Sequence, residues 1–425
     1  MSSGILNGIL NIKMNSRIIN KCQTCGSDSL KKVIDLGFLP SVNDFQNIDE
    51  SSKEQIFFPT IILKCDKCSL LQLSCIVDKE ILFPETYPYT SSTTQVLKDN
   101  FSDLSIESRE LLDLKKDNLI CDIGSNDGNL LSFFKDYIRV VGITPEDIGN
   151  LAIEKGIPTI IDYFSRDSCN RLVDKYGHPD LVTATNVFAH IDNPLEVLDS
   201  ISFLLNEKGT FVVEVHYLKS LIQNNQYDTI YHEHMRYYSL RSLEYLLSKK
   251  GFKGFHAKLI PSHGGSIRVY FTKSSNEIIT PQYKLLLRQE DEFFNNGTII
   301  SSYQKTIDIQ KHQLLRELID IKQSGNTIIG IGAPSRGTTL LNYCGIDSSL
   351  VDYIAEIKGS HKIGKRLPGT TIPVFDESQM FEENPDYALL LSWHIADELI
   401  SIFNQRGLRT NYIIPLPYPR IISKN

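Results

Sequence analysis

The sequence predicts an α/β protein in which a small cysteine-rich N-terminal domain precedes two successive parallel sheets flanked by helices. Two Cys-x-x-Cys pairs lie near the start, residues 111–275 alternate short apolar runs with helical patterns, and the alternation returns over residues 326–425. Strands that alternate with helices favour a parallel sheet with helices on both faces. A chain of 425 residues also exceeds what one hydrophobic core usually serves, so several domains are expected.

The charge and composition of the chain narrow the classes of partner. Its net charge is −7 at pH 7, with 41% hydrophobic and 22% charged residues, whereas a general nucleic-acid binder would carry a basic patch or stripe. No stretch reaches the roughly 20 apolar residues that a membrane span needs. We therefore predict a globular protein that binds neither nucleic acid nor membrane and exists as a monomer or a homodimer.

Residues 1–20 are predicted to be a flexible extension. Their apolar side chains are interrupted by Asn and Gly, and they lack the charged start and the small-residue cleavage site of a signal peptide. Met14 is a second candidate start. The cysteine usage indicates a protein of the reducing cytoplasm rather than a disulfide scaffold. The cysteines outside the two pairs are scattered among apolar runs, where free buried thiols are common. These are Cys75, Cys121, Cys169 and Cys344.

Residues 21–80 are predicted to form a zinc-binding domain. A Cys-x-x-Cys turn directs two thiolates at one point, and two such turns supply the four soft ligands that tetrahedral zinc prefers. The spacer between the pairs is longer than in common zinc ribbons, so it must hold strands of its own. Two reduced pairs without a metal, and a redox pair, are the alternatives. The zinc would be structural, since protein fills all four positions; the predicted ligands are Cys22, Cys25, Cys65 and Cys68.

Residues 81–275 are predicted to form the second domain together with a linking segment. Ligands bind at the carboxyl ends of parallel strands, and the first apolar run ends in D-I-G-S-N-D-G, residues 122–128. A strand that ends in D-x-G-x-x-x-G resembles motif I of class I S-adenosylmethionine (SAM)-dependent methyltransferases; a plain strand-to-helix turn is the alternative. The residues predicted to bind the cofactor are Asp122, Gly124, Asn126, Asp127, Gly128, Thr144, Glu146, Asp162 and Asn186.

The second strand of this domain departs from that pattern. Methyltransferases of this class usually end the strand in an acid that holds the ribose hydroxyls, and Thr144 stands at that position. Either Glu146 substitutes for the acid or Thr144 makes a weaker contact. Asp162, after the third strand, is expected near the adenine.

The densest cluster of titratable residues is Y-H-E-H, residues 231–234. Its histidines are two positions apart, unlike the H-E-x-x-H of zinc proteases, so an acid–base site is predicted rather than a metal. His234 is the predicted base, Glu233 is predicted to orient its ring, and Tyr231 to donate a hydrogen bond to a developing enolate oxygen. His190 follows the fourth strand, where it is either a structural residue or part of the site.

Two further segments are expected near this site. Tyr87 and Tyr89 flank a proline in the linking segment and either form a lid over a substrate or pack in the interior. The turn H-G-G-S-I-R, residues 263–268, is either a wall of the site or a plain hairpin turn. Its predicted substrate-binding residues are His263 and Arg268.

Residues 276–325 are predicted to be a helical connector, and residues 326–425 a second Rossmann-like domain. The first strand of that domain runs into the turn G-A-P-S-R-G at the start of a helix, which is a ready anion site. Arg336 in this turn is predicted to clamp a phosphate through two hydrogen bonds. The basic loop 358–366, which includes Lys362, either binds the same diphosphate or is an ordinary solvated run of charge.

Taken together, residues 21–420 resemble the family of sugar C-methyltransferases, which methylate nucleotide-linked 4-keto-6-deoxyhexoses. That family has the same order of a four-cysteine zinc domain, a SAM-binding core and a C-terminal Rossmann-like domain. His232 replaces an aspartate of the usual Tyr-Asp-Glu-His, and Arg336 and Thr338 stand where lysine and asparagine are frequent. The segments that carry the resemblance are Y-P-Y-T-S-S, D-I-G-S-N-D-G, Y-H-E-H, H-G-G-S-I-R-V-Y and G-A-P-S-R-G-T-T-L-L-N-Y-C-G-I.

The resemblance implies a nucleotide-sugar substrate, SAM as the methyl donor and a structural zinc ion. A C4 ketone acidifies the proton at C3, His234 removes it, Tyr231 stabilises the enolate, and C3 attacks the methyl group. His190 then matches a histidine near the keto sugar. The alternatives are O-methylation of a sugar or another small metabolite, a non-catalytic assembly protein in which Thr144 marks lost cofactor binding, and an NAD-dependent dehydrogenase.

Overall fold

The computed structural model describes residues 15–50, 54–82, 95–145, 147–275, 277–295 and 297–424. Tyr87, Tyr89 and Glu146 lie outside these residues. The N-terminal extension is shorter than predicted, because Ser16–Ile18 forms a strand that pairs antiparallel with Cys75–Val77. No helix within the described ranges combines the length and the apolar character that crossing a bilayer requires.

Strands and helices alternate through most of the chain, as the apolar runs predict. The strands are β1 (Ser16–Ile18), β2 (Leu30–Pro40), β3 (Gln46–Asn47), β4 (Phe57–Cys65), β5 (Leu71–Leu73), β6 (Cys75–Val77), β7 (Leu119–Ile123), β8 (Arg139–Thr144), β9 (Thr159–Ile161), β10 (Leu181–Thr185), β11 (Thr210–His216), β12 (Arg236–Tyr237), β13 (Lys253–Ile260), β14 (Ser266–Thr272), β15 (Ile328–Ile331), β16 (Ile354–Glu356), β17 (Lys365–Arg366), β18 (Val374–Asp376), β19 (Tyr387–Leu390), β20 (Asn411–Ile414) and β21 (Arg420–Ile422). The helices are α1 (Lys79–Leu82), α2 (Gln95–Leu111), α3 (Asn129–Ser132), α4 (Gly149–Glu154), α5 (Arg166–Tyr176), α6 (Pro194–Leu204), α7 (Leu218–Gln223), α8 (Leu240–Ser248), α9 (Pro281–Asn295), α10 (Ile299–Gln323), α11 (Ser335–Cys344), α12 (Ser378–Glu383) and α13 (Ala396–Gln405).

The N-terminal domain is built on an antiparallel sheet of order β12-β5-β4-β2. Strands β2 and β4 form a long hairpin, and burial alternates along most of β4, as expected when one face of a sheet packs on a core. Strand β12 comes from residues 236–237 and pairs with β5. A segment of the second domain thus completes the sheet of the first.

The central sheet has seven strands in the order β13-β14-β11-β10-β7-β8-β9. Strands β7 to β11 pair in parallel, and β14 and β13 add an antiparallel pair at one edge. All residues of β7 are buried, since helices cover both faces of a parallel sheet. The strand order reverses between β7 and β10, so their carboxyl ends open the crevice in which such sheets bind ligands.

Helices α9 and α10 lead to a C-terminal sheet of order β18-β16-β15-β19-β20-β21. Helix α10 packs against β2, and Oε1 of Gln304 accepts the N–H of Asp35 at 2.7 Å. The short strands β3 and β17 pair between the N-terminal and C-terminal domains. One apolar cluster runs from β2 through residues 218–237 into the C-terminal sheet. The domains therefore share a hydrophobic core and are not joined by linkers alone.

Candidate active site and cysteine cluster

The two cysteine pairs meet at one point. Sγ of Cys22 lies 3.4 Å from Sγ of Cys68, and Sγ of Cys25 lies 3.5 Å from Sγ of Cys65. All four sulfur atoms lie within 4.8 Å of one another. Four thiolates bound to zinc at about 2.3 Å lie roughly 3.8 Å apart at tetrahedral angles. The cluster therefore fits a structural zinc ion whose four positions are all filled by protein.

The first cysteine pair contacts the segment that carries the Y-H-E-H motif, residues 227–238, named the YHEH loop below. Gln23, within that pair, accepts a hydrogen bond from Nη1 of Arg236. The N–H of Gln23 donates to Oε1 of Gln72 on β5 at 2.9 Å. Since Arg236 begins β12, the cysteine cluster holds the YHEH loop two residues beyond His234.

The turn after β7 brings backbone to the crevice between β7 and β10. Gly124 and Gly128 have φ of +72° and +76°, a left-handed conformation that glycine adopts readily. A Cβ at Gly128 would lie 2.8 Å from Cβ of Ala152, and one at Gly124 would lie 2.6 Å from Cγ2 of Val187. Both positions require glycine, and the tight turn fits a cofactor that approaches the backbone.

Two aspartates of this turn are buried. Asp122 accepts a hydrogen bond from Oγ1 of Thr183 at 2.6 Å. Burial raises the pKa of Asp122 to about 7, Thr183 opposes that rise, and the charge of Glu214 adds to it. Asp127 pairs with Nζ of Lys155 at 3.2 Å. The carboxylates are thus held by the protein and shape the turn from its inner side.

The other predicted cofactor residues lie near the ends of the neighbouring strands. Asn126 in the turn and Asn186 after β10 both have left-handed backbone, with φ of +51° and +57°. Thr144 ends β8 and is buried. Asp162 follows β9, where Arg171 pairs with its carboxylate. The fold gathers these residues along one edge of the sheet, with a threonine in place of the expected acid.

Four histidine rings, named the histidine row below, follow one another along the carboxyl edge of the central sheet. The centroid of the His234 ring lies 5.0 Å from that of His190 and 5.3 Å from that of His216. The ring of His216 lies 5.4 Å from that of His263. The row is assembled from the end of β11, the loop after β10, the turn before β14 and the YHEH loop.

Burial makes the histidine row a set of neutral rings. It lowers the pKa of His234 to about 3 and those of His190 and His263 to about 4. Burial, and then the neighbouring histidines, hold the pKa of His216 well below its usual range. Each ring is therefore uncharged at pH 7 and has a nitrogen that can accept a proton.

His234 is fixed in one tautomer. Its Nδ1 lies 2.8 Å from the carbonyl oxygen of Thr229. A carbonyl can only accept, so Nδ1 carries the proton and Nε2 is the basic nitrogen. The ring of Tyr231 lies 4.2 Å from that of His234, centroid to centroid. The two aromatic rings are thus in contact.

The other two residues of the motif contact the N-terminal domain. The Thr229 carbonyl, rather than Glu233 as predicted, holds Nδ1 of His234. Glu233 instead accepts a hydrogen bond from Nδ2 of Asn43 at 2.6 Å. Nε2 of His232 lies 3.1 Å from Oγ1 of Thr60 on β4. These two side chains dock the YHEH loop onto the N-terminal sheet.

Arg268 does not face the site as predicted. It lies opposite Glu214 in the β11–β14 pair, and its Nε donates to that carboxylate at 2.5 Å. Its Nη1 donates to Asp103 and Glu107, and its Nη2 donates to Asn100. The side chain is fully buried, so the substrate role is corrected to a structural one, in which Arg268 fastens α2 to the sheet.

The phosphate clamp predicted at Arg336 is also corrected. Its Nε and Nη2 donate to the two carboxylate oxygens of Asp228 at 2.8 and 3.0 Å, so the fork holds the YHEH loop. Nζ of Lys362 donates to the carbonyl oxygen of Ala333 at 2.7 Å, in the turn where α11 begins. The basic loop is more than a solvated run of charge, since Lys365–Arg366 forms β17 and pairs with β3.

The sequence reasoning missed His216, Asp228 and His394. His216 ends β11. Ligands bind at the carboxyl ends of parallel strands, so the reasoning that predicted the glycine turn applies to His216 as well. Asp228 gives no local signal, because its partners come from the C-terminal domain. His394 lies in the turn after β19; burial lowers its pKa to about 3, and the charges of Arg336 and His263 add to that shift.

Comparison with known proteins covers nearly the whole chain. Three family models match in succession: a zinc binding domain over residues 22–83, a methyltransferase domain over 94–257, and a C-methyltransferase C-terminal domain over 261–417. The chain is 31% identical over 415 residues to the C-methyltransferase NovU of Streptomyces niveus. That match covers 96% of this chain and 98% of its relative.

Solved methyltransferase structures resemble only part of the chain. The magnesium protoporphyrin IX methyltransferase of Synechocystis with bound SAM is 12% identical, with 44% of this chain and 87% of that chain covered and a TM-score of 0.32. A SAM-dependent methyltransferase of Clostridium acetobutylicum is 14% identical, with 43% and 93% covered and a TM-score of 0.33. Such scores carry no weight beside the sequence matches.

The matches agree with the domains seen in the structure. The four-cysteine cluster lies within the zinc-binding match, and the glycine turn and the YHEH loop lie within the methyltransferase match. The protein is therefore an enzyme that uses SAM and carries a structural zinc ion. From its near full-length relationship to NovU, we conclude that the chain belongs to the SAM-dependent C-methyltransferase family.

Proposed function

We propose that this enzyme methylates carbon 3 of a nucleotide-linked 4-keto-6-deoxy sugar through an enolate. The observation that carries the proposal is the environment of His234, whose Nδ1 is tied to the Thr229 carbonyl and whose ring adjoins Tyr231. A neutral base beside a phenol suits removal of a proton next to a ketone. O-Methylation would require no such pair.

The reaction divides between the residues as follows. Nε2 of His234 accepts the proton that the C4 ketone acidifies at C3, and the phenol of Tyr231 donates a hydrogen bond to the enolate oxygen. SAM, when bound, would supply an electrophilic methyl group, whose bond to sulfur breaks as its bond to C3 forms, leaving a neutral thioether. The imidazolium of His234 then releases one proton to solvent. Orientation of the reacting groups supplies much of the rate.

The C-terminal domain contains the residues that we propose bind the nucleotide. Oγ1 of Thr338 and Oγ1 of Thr339 are buried near the start of α11 without a hydrogen-bond partner among the described residues. Lys362 reaches the same turn through Ala333. Hydroxyls, a helix start and an ammonium group suit the diphosphate of a nucleotide sugar. The proposed substrate belongs to deoxysugar biosynthesis, and we propose a cytoplasmic enzyme that is a monomer or a homodimer. The cytoplasmic location is supported by cysteines that form no disulfide bond among the described residues.

The proposal is tested by mass spectrometry of the enzyme with SAM and a panel of nucleotide-linked 4-keto-6-deoxy sugars carrying deuterium at C3. The expected product gains one methyl group and loses the deuterium. A product that gains the methyl group and keeps the deuterium would carry it on an oxygen or on C5, the other carbon next to the ketone, and would overturn methylation at C3. SAM binding without any methylated sugar would overturn the substrate class and leave the family assignment intact.

The pH profile provides a second test. The pKa of His234 is lowered to about 3 by burial, with the charges of His190, His263 and Arg336 adding to the shift and Thr229 opposing it. The neutral, proton-accepting ring therefore predominates above that pH and is lost only below it. We expect kcat/KM to stay level from pH 7 down to about 5, where an ordinary histidine of pKa about 6.5 would already be charged. An acid limb near pH 6.5, with folding unchanged by circular dichroism, would contradict a lowered pKa of the base in the free enzyme.

A further inference from the structure

The turn Tyr227–Thr229 connects the C-terminal domain with the proposed base. At its last residue, the carbonyl oxygen of Thr229 accepts the hydrogen bond from Nδ1 of His234 at 2.8 Å. At its middle residue, the carboxylate of Asp228 is bound by Arg336 of the C-terminal domain. These hydrogen bonds are made by adjacent residues, so a displacement of Asp228 also displaces the carbonyl of Thr229.

Asp228 has a second partner in the C-terminal domain. Nε1 of Trp393, in the turn after β19, donates to Oδ2 of Asp228 at 2.7 Å. The guanidinium carbon of Arg336 lies 4.9 Å from the centroid of the Trp393 ring. Three hydrogen bonds and a cation–π contact thus hold one carboxylate.

The surroundings of this carboxylate are closed to solvent. Asp228 is 0% exposed, and Arg336 and Trp393 are 7% and 8% exposed. The ring of Tyr227 packs 5.1 Å from that of Tyr343 on α11, centroid to centroid. A buried ion pair is weak evidence for added stability, and one that joins two domains beside a catalytic loop invites a positional explanation.

We propose that Asp228 is a positioning residue: Arg336 and Trp393 fix it, and through it they fix the Thr229 carbonyl that selects the Nδ1-protonated tautomer of His234. The C-terminal domain then does more than contribute to the substrate site, because it determines which nitrogen of the base is free. The inference rests on the proposed function insofar as His234 is the base. The tautomer itself is a property of the free protein.

The consequence for catalysis follows from the geometry. Without the clamp, the carbonyl is free to turn away, and the ring of His234 can rotate or take its proton on Nε2, where it cannot act as a base. A misplaced catalytic group lowers kcat more than it changes binding. For Asp228→Asn we expect kcat to fall about 10- to 100-fold, with KM for both substrates changed by less than about threefold.

The experiment measures tautomer and kinetics in the same full-length, zinc-loaded protein. Histidine side chains labelled with ¹⁵N report the protonated ring nitrogen by long-range ¹H–¹⁵N correlation, with His234 assigned by its loss in His234→Gln. Wild type is expected to show Nδ1–H at His234, and Asp228→Asn and Arg336→Gln a mixture or Nε2–H. The double variant Asp228→Asn/Arg336→Gln is expected to lose no more kcat than either single variant, because each of the three variants breaks the same ion pair.

The control variant is Arg406→Gln, which removes an exposed ion pair with Glu377 in the same domain and is expected to change neither readout. Loss of kcat with an unchanged Nδ1–H signal would assign Asp228 a merely structural role and overturn the inference. So would an unchanged kcat in a folded Asp228→Asn with zinc and SAM binding intact. An active His234→Ala would defeat the proposed function instead, whereas the tautomer measurement needs no substrate and tests the positioning by itself.

Discussion

Alanine at His234 is expected to lower kcat/KM for methyl transfer by about 10³-fold or more, with SAM affinity changed less than about twofold. The reason is that Nε2 of His234 is the nitrogen proposed to take the proton, whereas the glycine turn after β7 fits the cofactor independently of this ring. Initial rates from the product mass and calorimetric titration with SAM provide the two measurements.

The matched controls separate chemistry from folding. His234→Gln keeps a polar side chain of similar size but cannot accept the proton, so it is expected to be as inactive as the alanine variant. His312→Ala removes an exposed histidine on α10 and is expected to leave the rate unchanged. If His234→Gln retained more than about a tenth of the wild-type rate, the base would lie elsewhere in the histidine row, with His216 as the next candidate.

Serine at Cys65 is expected to release zinc and to lower kcat by about 10²-fold or more, with a lower unfolding temperature. Loss of a structural zinc ion removes folding free energy, which is roughly 10–16 kcal/mol in zinc-finger peptides. In this chain the loss also frees Gln23, which holds Arg236, and loosens the sheet that β12 completes. The YHEH loop then loses one of its contacts with the N-terminal domain.

Three measurements on Cys65→Ser check this expectation: zinc per chain by elemental mass spectrometry, the thermal unfolding midpoint, and kcat below that midpoint. Cys75→Ser is the matched control, since Cys75 is a buried thiol of β6 outside the cluster and its variant should keep its zinc. A zinc-free Cys65→Ser that turns over at the wild-type rate would show that the cysteine cluster does not support the loop.

Features encoded by neighbouring residues could be predicted from the sequence. The Cys-x-x-Cys pairs, the strand-ending D-I-G-S-N-D-G and the apolar runs each express their geometry within a few positions. These features predicted the cysteine cluster, the glycine turn and the alternating sheets. His216 could have been found in the same way, because it ends β11 just as the glycine turn follows β7.

Features that depend on distant pairing could not be predicted. In the sequence H-G-G-S-I-R, Arg268 resembles a turn residue that faces the site. In the structure it belongs to β14 and lies opposite Glu214. That register is known only once the strands are paired. Arg336 suggests an anion clamp by its place at a helix start. Its partner is Asp228, 108 positions earlier, and no local pattern links them.

Because β12 comes from the second domain, the sheet of the first domain is completed late in the synthesis of the chain. Strands β2, β4 and β5 leave the ribosome early, whereas β12 follows only after most of the central sheet has been made. Until then β5 has an open edge, the kind that invites pairing with another chain, and large proteins generally fold domain by domain as they emerge. The sheet of the nascent zinc-binding domain can therefore be completed only after the YHEH loop has been synthesised, and the pairing of β12 with β5 brings that loop to its position in the structure.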